Sequence, residues 1–462
     1  MGIGMQVLGL IASLSLLVFV HELGHYFFAR LFHTRVDKFY LFFNPGFSIM
    51  RMKKCGDQYQ FSFFSTEAPE EWKNYPESTE WGIGWLPLGG YCSINGMVDE
   101  TTKADELSAE PQPWEFRAKP AWQRFFIIIG GVLMNFLTAL IIYVGLMYHY
   151  GEEYVPVTEA TYGLQFTETA QNIGFQNGDK IISVDGKVPE TMGEFATALL
   201  IDDVKEVKVD RNGEIVCITI PKDFGQQVLA AGDNAGFCQF NFPFVVDMVM
   251  EDYPAAAAGM MHGDSLVAIN GEDCFSFYDY KSAFAQNKNQ EVEVSFYRGD
   301  SLYQTSLHLT DEGTIGVYPV DPSFYLTSKV IKYGFFESIP VGIKKGFATL
   351  ATYVKQFKLV FTKEGAQQLG GFGTIGSIFP KVWDWERFWS MTAFLGIILA
   401  FMNIIPIPAL DGGYLLFILV EMITGRKPSD KFIGVANTIG FTLLIILLIY
   451  ANGMDIIRAF FK

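Results

Sequence analysis

Residues 15–25 read Ser15-Leu-Leu-Val-Phe-Val-His-Glu-Leu-Gly-His25, closing a run, Met1 to Val20, that carries no charged side chain. An α-helix needs about 20 apolar residues to cross a bilayer. The run has no basic leading region and no small-residue cleavage site, the marks of a secretory signal. Cleavage would also sever His21 and His25 from their helix, so the segment is expected to be a retained span. Three further uncharged runs follow, Phe125–Tyr148, Phe388–Leu410 and Phe432–Met454. Composition agrees. Of 462 residues, 50% are hydrophobic and only 18% charged, against roughly 25% charged in a soluble domain. A formal net charge of −16 argues against nucleic acid, which calls for a basic face. Five cysteines without a CxxC pair argue against a disulfide framework or a cysteine zinc cluster.

Positive residues favour the cytoplasmic side of a span. Arg30, Arg35 and Lys38 follow the first run, Arg117, Lys119 and Arg124 precede the second, and Arg426, Lys427 and Lys431 join the third to the fourth. The cytoplasmic side is therefore expected to hold residues 32–124. The N-terminus, the long segment from 152 to about 380 and the C-terminus are expected outside. Within 36–98, nearly alternating runs such as Tyr59-Gln-Phe-Ser-Phe-Phe, broken by Gly and Pro, suggest hairpins. Their aromatic content suggests contact with the membrane interface. Residues 99–110 are acidic and polar and read as a loop.

The outer segment contains a repeat. Gly174-Phe-Gln-Asn-Gly-Asp-Lys-Ile-Ile-Ser-Val-Asp-Gly186 aligns with Gly259-Met-Met-His-Gly-Asp-Ser-Leu-Val-Ala-Ile-Asn-Gly271 at an offset of 85. Each copy places Gly-Asp before an apolar strand that ends in a turn dipeptide, then a helix-like stretch, then two strands. The pattern resembles PDZ domains of the permuted bacterial kind, which bind extended peptides by strand addition. Beyond it, Phe335, Ile339, Ile343, Phe347, Leu350, Val354 and Phe357 recur at helical spacing among lysines. That suits a helix lying on the membrane surface or packed on a PDZ domain.

The chemistry rests on few residues. His21-Glu22-Leu23-Gly24-His25 matches H-E-x-x-H, which on a helix places two imidazoles on one face within reach of one zinc. Glu22 is then placed to act as general base. A charged group at the centre of a span costs about 2.5–3.5 kcal/mol, so two His and a Glu in one turn of an apolar helix need a reason. A catalytic zinc usually has three protein ligands. His33, His149, His262 and His308 sit at or beyond the interfaces; Asp411 is the better third candidate. It lies in Asn403-Ile-Ile-Pro-Ile-Pro-Ala-Leu-Asp-Gly-Gly413, where two prolines must break the helix. Broken backbone at membrane depth is tolerated only when buried in protein or lining a water-filled cavity.

HELGH in the first span, Ala118-Lys-Pro-Ala-Trp-Gln-Arg-Phe-Phe entering the second, and Asn-x-x-Pro-x-Pro-x-Leu-Asp-Gly-Gly in the third resemble the site-2 protease family of intramembrane zinc metalloproteases. With tandem PDZ domains between spans two and three, the chain resembles the regulator-of-sigma-E protease branch. The resemblance implies one zinc held by His21, His25 and Asp411, Glu22 as catalytic base, and substrate contacts from Asn403 and Pro408. It also implies that Pro87-Leu-Gly-Gly-Tyr91, with Gly89 and Gly90, belongs to a membrane-embedded β-region guiding substrate. Three departures bear on substrate gating: Gly131-Val132 for the usual Gly-Pro, Phe43-Asn-Pro-Gly46 for a glycine-rich loop, and Phe372 for a Pro.

The expected architecture is a multi-pass α-helical membrane protein. It has four transmembrane helices, a membrane-associated β-hairpin region and two tandem extracytoplasmic PDZ domains. Its parts run 1–31 (span one), 32–124 (cytoplasmic-side loop), 125–150 (span two), 154–222 and 240–312 (PDZ domains), 330–380 (amphipathic helix and linker), 385–424 (span three) and 432–458 (span four). The expected reaction is hydrolysis of peptide bonds in transmembrane segments of single-span proteins, in the inner membrane. Anti-sigma factors after a first cut, or remnant signal peptides, fit that description. The partners implied are the lipid bilayer, membrane-protein substrates and an extracytoplasmic protease that acts first. An ion- or proton-coupled transporter using His21, Glu22 and Asp411, and a membrane-anchored PDZ scaffold with an inactive site, are the alternatives. The four spans show no inverted repeat, and the intact motifs speak against a scaffold.

Overall fold

The computed structural model describes residues 2–87, 89–97, 110–233, 236–274, 276–362, 365 and 369–461. The acidic stretch read as a loop lies, but for Glu110, outside them. The chain forms two compact units, one of Met1–Gly151, Lys332–Val360 and Ala366–Lys462, the other of Glu152–Ile331 with Phe361–Gly365.

In the first unit, four helices among the described residues are long and apolar enough to cross a membrane: Gly2–Leu31, Ala121–His149, Trp385–Ile404 and Lys431–Phe460. The first continues without interruption through the HELGH turn. The second begins directly after Pro120, earlier than the uncharged run implies, because Pro ends the extended approach and its missing N–H is harmless at a helix start. It lies between the first helix and Trp385–Ile404, burying Ile127, Gly130, Gly131, Asn135 and Ala139. The region 385–424 is two helices, Trp385–Ile404 and Asp411–Thr424, parted at Pro406 and Pro408 where no N–H is available to continue the ladder.

The helix Phe335–Phe357 packs against the second helix, where Phe347 and Phe335 of its apolar stripe meet the rings of Phe136 and Tyr148. Ser338, Gly342 and Gly346 are the buried residues, a small-residue row at i, i+4, i+8 that permits close backbone approach. Phe335, Ile343, Phe347 and Val354 stay exposed.

Residues 36–94 form a five-stranded sheet: β1 (Val36–Leu41), β2 (Ser48–Cys55), β3 (Gln58–Ser65), β4 (Glu80–Ile83) and β5 (Tyr91–Ile94), in the order β3-β2-β4-β1-β5. The expected hairpin is present at β2–β3, but β4 inserts between β2 and β1 and runs parallel to β1. A buried polar set ties these strands together. Tyr40 donates to Glu80 Oε1 at 2.5 Å, and Arg51 Nη1 donates to the same oxygen at 3.0 Å. Burial and the carboxylate beside it push the Tyr40 phenol well above its usual range, so the hydroxyl stays a donor. Tyr59, Phe61 and Phe63 project from β3 unburied, on a strand at the sheet's edge.

The second unit carries two lobes built alike. In the first, strands Lys180–Val184, Glu206–Arg211 and Glu214–Thr219 form a sheet; in the second, Ser265–Ile269, Glu291–Arg298 and Ser301–His308 do. The helix of each copy is capped at an equivalent position, Thr191 accepting from Glu194 N–H and Ser276 from Asp279 N–H. The repeated Gly-Asp aspartates are fully buried. Arg211 holds both oxygens of Asp179 at 2.8 and 2.7 Å and donates to the Gly174 carbonyl. Arg298 does the same to Asp264 and Gly259.

Each lobe closes with a strand lying beyond the boundary drawn from the repeat. Cys238–Phe240 pairs with Leu164–Phe166, and Val317–Pro319 pairs with Val246–Val249. The first core accordingly includes Phe224, Val228 and Phe237, past residue 222, and the second includes Ile315, past residue 312. No disulfide joins the cysteines among the described residues; burial pushes the Cys238 thiol up to about 12.

Candidate metal centre

One turn of an unbroken helix sets His21 and His25 on the same face. Their Nε2 atoms are 3.1 Å apart. The third group arrives from far along the chain. Asp411 is the first residue of the helix that follows the proline break, so its carboxylate projects from a helix start. Asp411 Oδ2 lies 3.2 Å from His21 Nε2 and 3.4 Å from His25 Nε2. That oxygen is buried and makes no hydrogen bond. Three ligand-type atoms thus face one another, and the buried carboxylate oxygen among them lacks a hydrogen-bond partner among the described residues, an arrangement that is costly unless a further group satisfies it.

The surroundings fix the imidazoles. His25 Nδ1 is 2.9 Å from the Ile127 carbonyl, so Nδ1 carries the proton and Nε2 presents its lone pair to the cluster. Asn135, almost fully buried, places its amide nitrogen 3.5 Å from His21 Nδ1. Such outer contacts set tautomer and ring orientation. The second helix reaches this position because it is stripped of side chains there. A Cβ on Gly24 would strike the Gly130 carbonyl, and one on Gly131 would sit 2.5 Å from His25 Nε2 and 2.7 Å from His21 Cε1.

Glu22 is half-buried beside the cluster, and the backbone N–H of Cys92 on β5 lies near its carboxylate. The terminal strand of the sheet packs against the helix that carries the histidines. Gly90 lies against Val18 and the Tyr40 carbonyl, and Gly89 against Phe43, one turn before His21. Asn403 ends the helix Trp385–Ile404, half-buried, and no hydrogen bond joins it to the cluster. Pro408 packs its backbone against Gly440 of the last long helix rather than against the histidines.

Sequence reasoning passed over Asn437, and it named Gly131 only as part of a departure from the family pattern, with no role beside the histidines. Gly131 and Asn135 belong to the second span, and only the crossing of two helices gives them meaning. The signal available for Asn437 is a lone amide in an apolar run.

The comparisons with known proteins extend over nearly the whole chain. The sequence profile of peptidase family M50 matches residues 9–447. The chain belongs to peptidase family M50. This is the site-2 protease family, and its members among the relatives align end to end with this chain. A Neisseria meningitidis protein named "Putative zinc metalloprotease" is 25% identical over 98% of this chain and 99% of its own length. The regulator of sigma E protease of Haemophilus influenzae is 25% identical over 97% of this chain and 98% of its own. Among solved structures, the PDZ domain of an SdrC-like protein from Listeria monocytogenes covers 18% of this chain and 94% of its own, with 25% identity and a TM-score of 0.16. The M50 protein is thus a membrane-helix-bearing metalloprotease of the site-2 kind.

Proposed function

We propose that His21, His25 and Asp411 hold one zinc ion and that the M50 protein cuts peptide bonds within transmembrane segments of single-span membrane proteins. The observation that carries this is the triangle of ligand atoms. Four-coordinate zinc with bonds of about 2.0–2.1 Å spaces its ligands by about 3.3 Å, and the three separations here are 3.1, 3.2 and 3.4 Å. The unpartnered Asp411 Oδ2 fits a cation there. Zinc in that place supplies Lewis-acid polarisation of a carbonyl and lowers the pKa of water.

The chain's own residues do the rest. Glu22 takes the proton of the attacking water and delivers it to the leaving amine. Its place one residue after His21 on the same helix keeps the carboxylate beside the cluster. A substrate helix hides its amides in its own hydrogen bonds, so it must unwind. β5 ends the sheet next to Glu22, and its outer edge suits capture of an extended segment by strand addition. Gly89 and Gly90 keep the approach to that strand free of side chains. Asn403 binds backbone groups released by unwinding, and Pro408 shapes the loop that faces them.

The two lobes of the second unit are PDZ domains in this reading. They lie outside an inner membrane with both termini and screen substrates that another protease has trimmed. The matched Arg–Asp pairs and closing strands of the two copies support one shared fold.

The test is cleavage of a model single-span substrate by purified protein in lipid. Cleavage should occur within the span, stop on removal of metal by chelator and return with zinc. A substrate left intact by zinc-loaded protein, or cleavage that survives metal stripping, contradicts the proposal.

A further inference from the structure

The loop 405–410 that delivers Asp411 permits a complete account of its N–H groups. Ile405 donates to the Met402 carbonyl, Ile407 to Ile405, and Leu410 to Ile407. Pro406 and Pro408 have no N–H. The remaining donor, Ala409, reaches outside the segment, to Oδ1 of Asn437 on the last long helix at 3.2 Å. Asn437 Nδ2 in turn donates to the Tyr414 hydroxyl at 2.9 Å. One turn further along that helix, Gly440 leaves room for the Pro408 carbonyl.

Ala409 has φ +77°, a left-handed conformation that a Cβ disfavours and that needs its surroundings to impose it. It stands two residues before Asp411. Asn437 lies inside the run Phe432–Met454, which has no charged residue; a polar side chain at that depth is expected to face protein and serve a purpose. An N–H without a partner there would be costly.

We propose that Asn437 is a positioning residue for the metal centre. By accepting the Ala409 N–H it holds the left-handed residue that aims Asp411 at His21 and His25. The inference rests on reading Asp411 as a zinc ligand. It makes the last long helix, whose spanning segment is only 6% buried, a determinant of metal binding although it contributes no ligand.

The experiment measures zinc affinity by chelator competition on full-length protein in detergent, with the absorption of the cobalt-substituted form as a second readout. Asn437→Leu should weaken metal binding by about 10–100-fold, the usual effect of losing an outer partner, and alter the cobalt spectrum. Adding Ala409→Gly should recover most of that loss, because glycine takes φ +77° without help. Asn437→Ala, which adds no volume, serves the same comparison where the leucine variant does not fold. Zinc affinity within twofold of the parent in either variant overturns the inference, as does a loss that Ala409→Gly leaves undiminished. Asp411→Ala, run alongside, separates the two readings. If it retains zinc, the ligand assignment itself has failed; if it loses zinc while Asn437→Leu keeps it, only the role of Asn437 has.

Discussion

Glu22→Gln is expected to lower cleavage of a single-span substrate by at least 10²–10⁴-fold, the usual worth of a positioned general base, while zinc content stays at the parent level. The reason lies in what the substitution keeps. Glutamine has the same length, and its carbonyl oxygen can still face the Cys92 N–H that lies near the Glu22 carboxylate. It touches none of the three atoms of the ligand triangle. What it loses is the capacity to take and return a proton. A variant that turns over at the parent rate would remove Glu22 from the chemistry. One that loses zinc as well would mean that Glu22 supports the metal site rather than the proton transfer.

The second large effect is expected from one methyl group. In Gly131→Ala the new Cβ sits 2.5 Å from His25 Nε2 and 2.7 Å from His21 Cε1, closer than non-bonded atoms allow. Neither neighbour can yield cheaply, because His25 is anchored to the Ile127 carbonyl and both rings stand on a helix that passes the second at backbone contact through Gly24 and Gly130. Either the rings rotate out of the triangle or the helices part. A misplacement of about 1 Å at a reacting centre costs on the order of 10²-fold in rate, and loss of the ligand geometry costs the metal too. Gly145→Ala is the control on the same helix: a Cβ there meets nothing within 4 Å, and zinc content and cleavage should be unaffected. Parent-like zinc content and cleavage in Gly131→Ala would mean that the helices are not held this closely around the histidines.

Much of the site's chemistry was readable in sequence because it depends on short-range pattern. Helical periodicity alone puts His21 and His25 on one face, and two prolines in three residues force the break that frees Asp411 to begin a new helix. The repeat at offset 85 is equally local. What escaped depends on where elements meet. The arginines that clasp Asp179 and Asp264 stand 32 and 34 residues downstream of them. The small difference in spacing hides their equivalence from an alignment at fixed offset. The insertion of β4 between β2 and β1 involves a parallel pairing that no turn announces. The strands that close each lobe lie after loops of different length. The helix Phe335–Phe357 is a further case. Its apolar stripe suggested a face for the membrane surface or a PDZ domain, whereas the residues it buries are the small Ser338, Gly342 and Gly346, which permit close backbone approach. The roles of Gly131 and Asn437 escaped for a related reason, since a missing side chain and a lone amide acquire them only from the neighbour that another helix supplies.

The central claim is that three side chains from opposite ends of the chain form one zinc site, and metal analysis of purified protein tests it most directly. The parent should carry one zinc per chain after gel filtration, and Asp411→Ala, handled identically and equally well folded, should carry almost none. Equal zinc in both proteins, or no zinc bound by the parent at any supplied concentration, would contradict it.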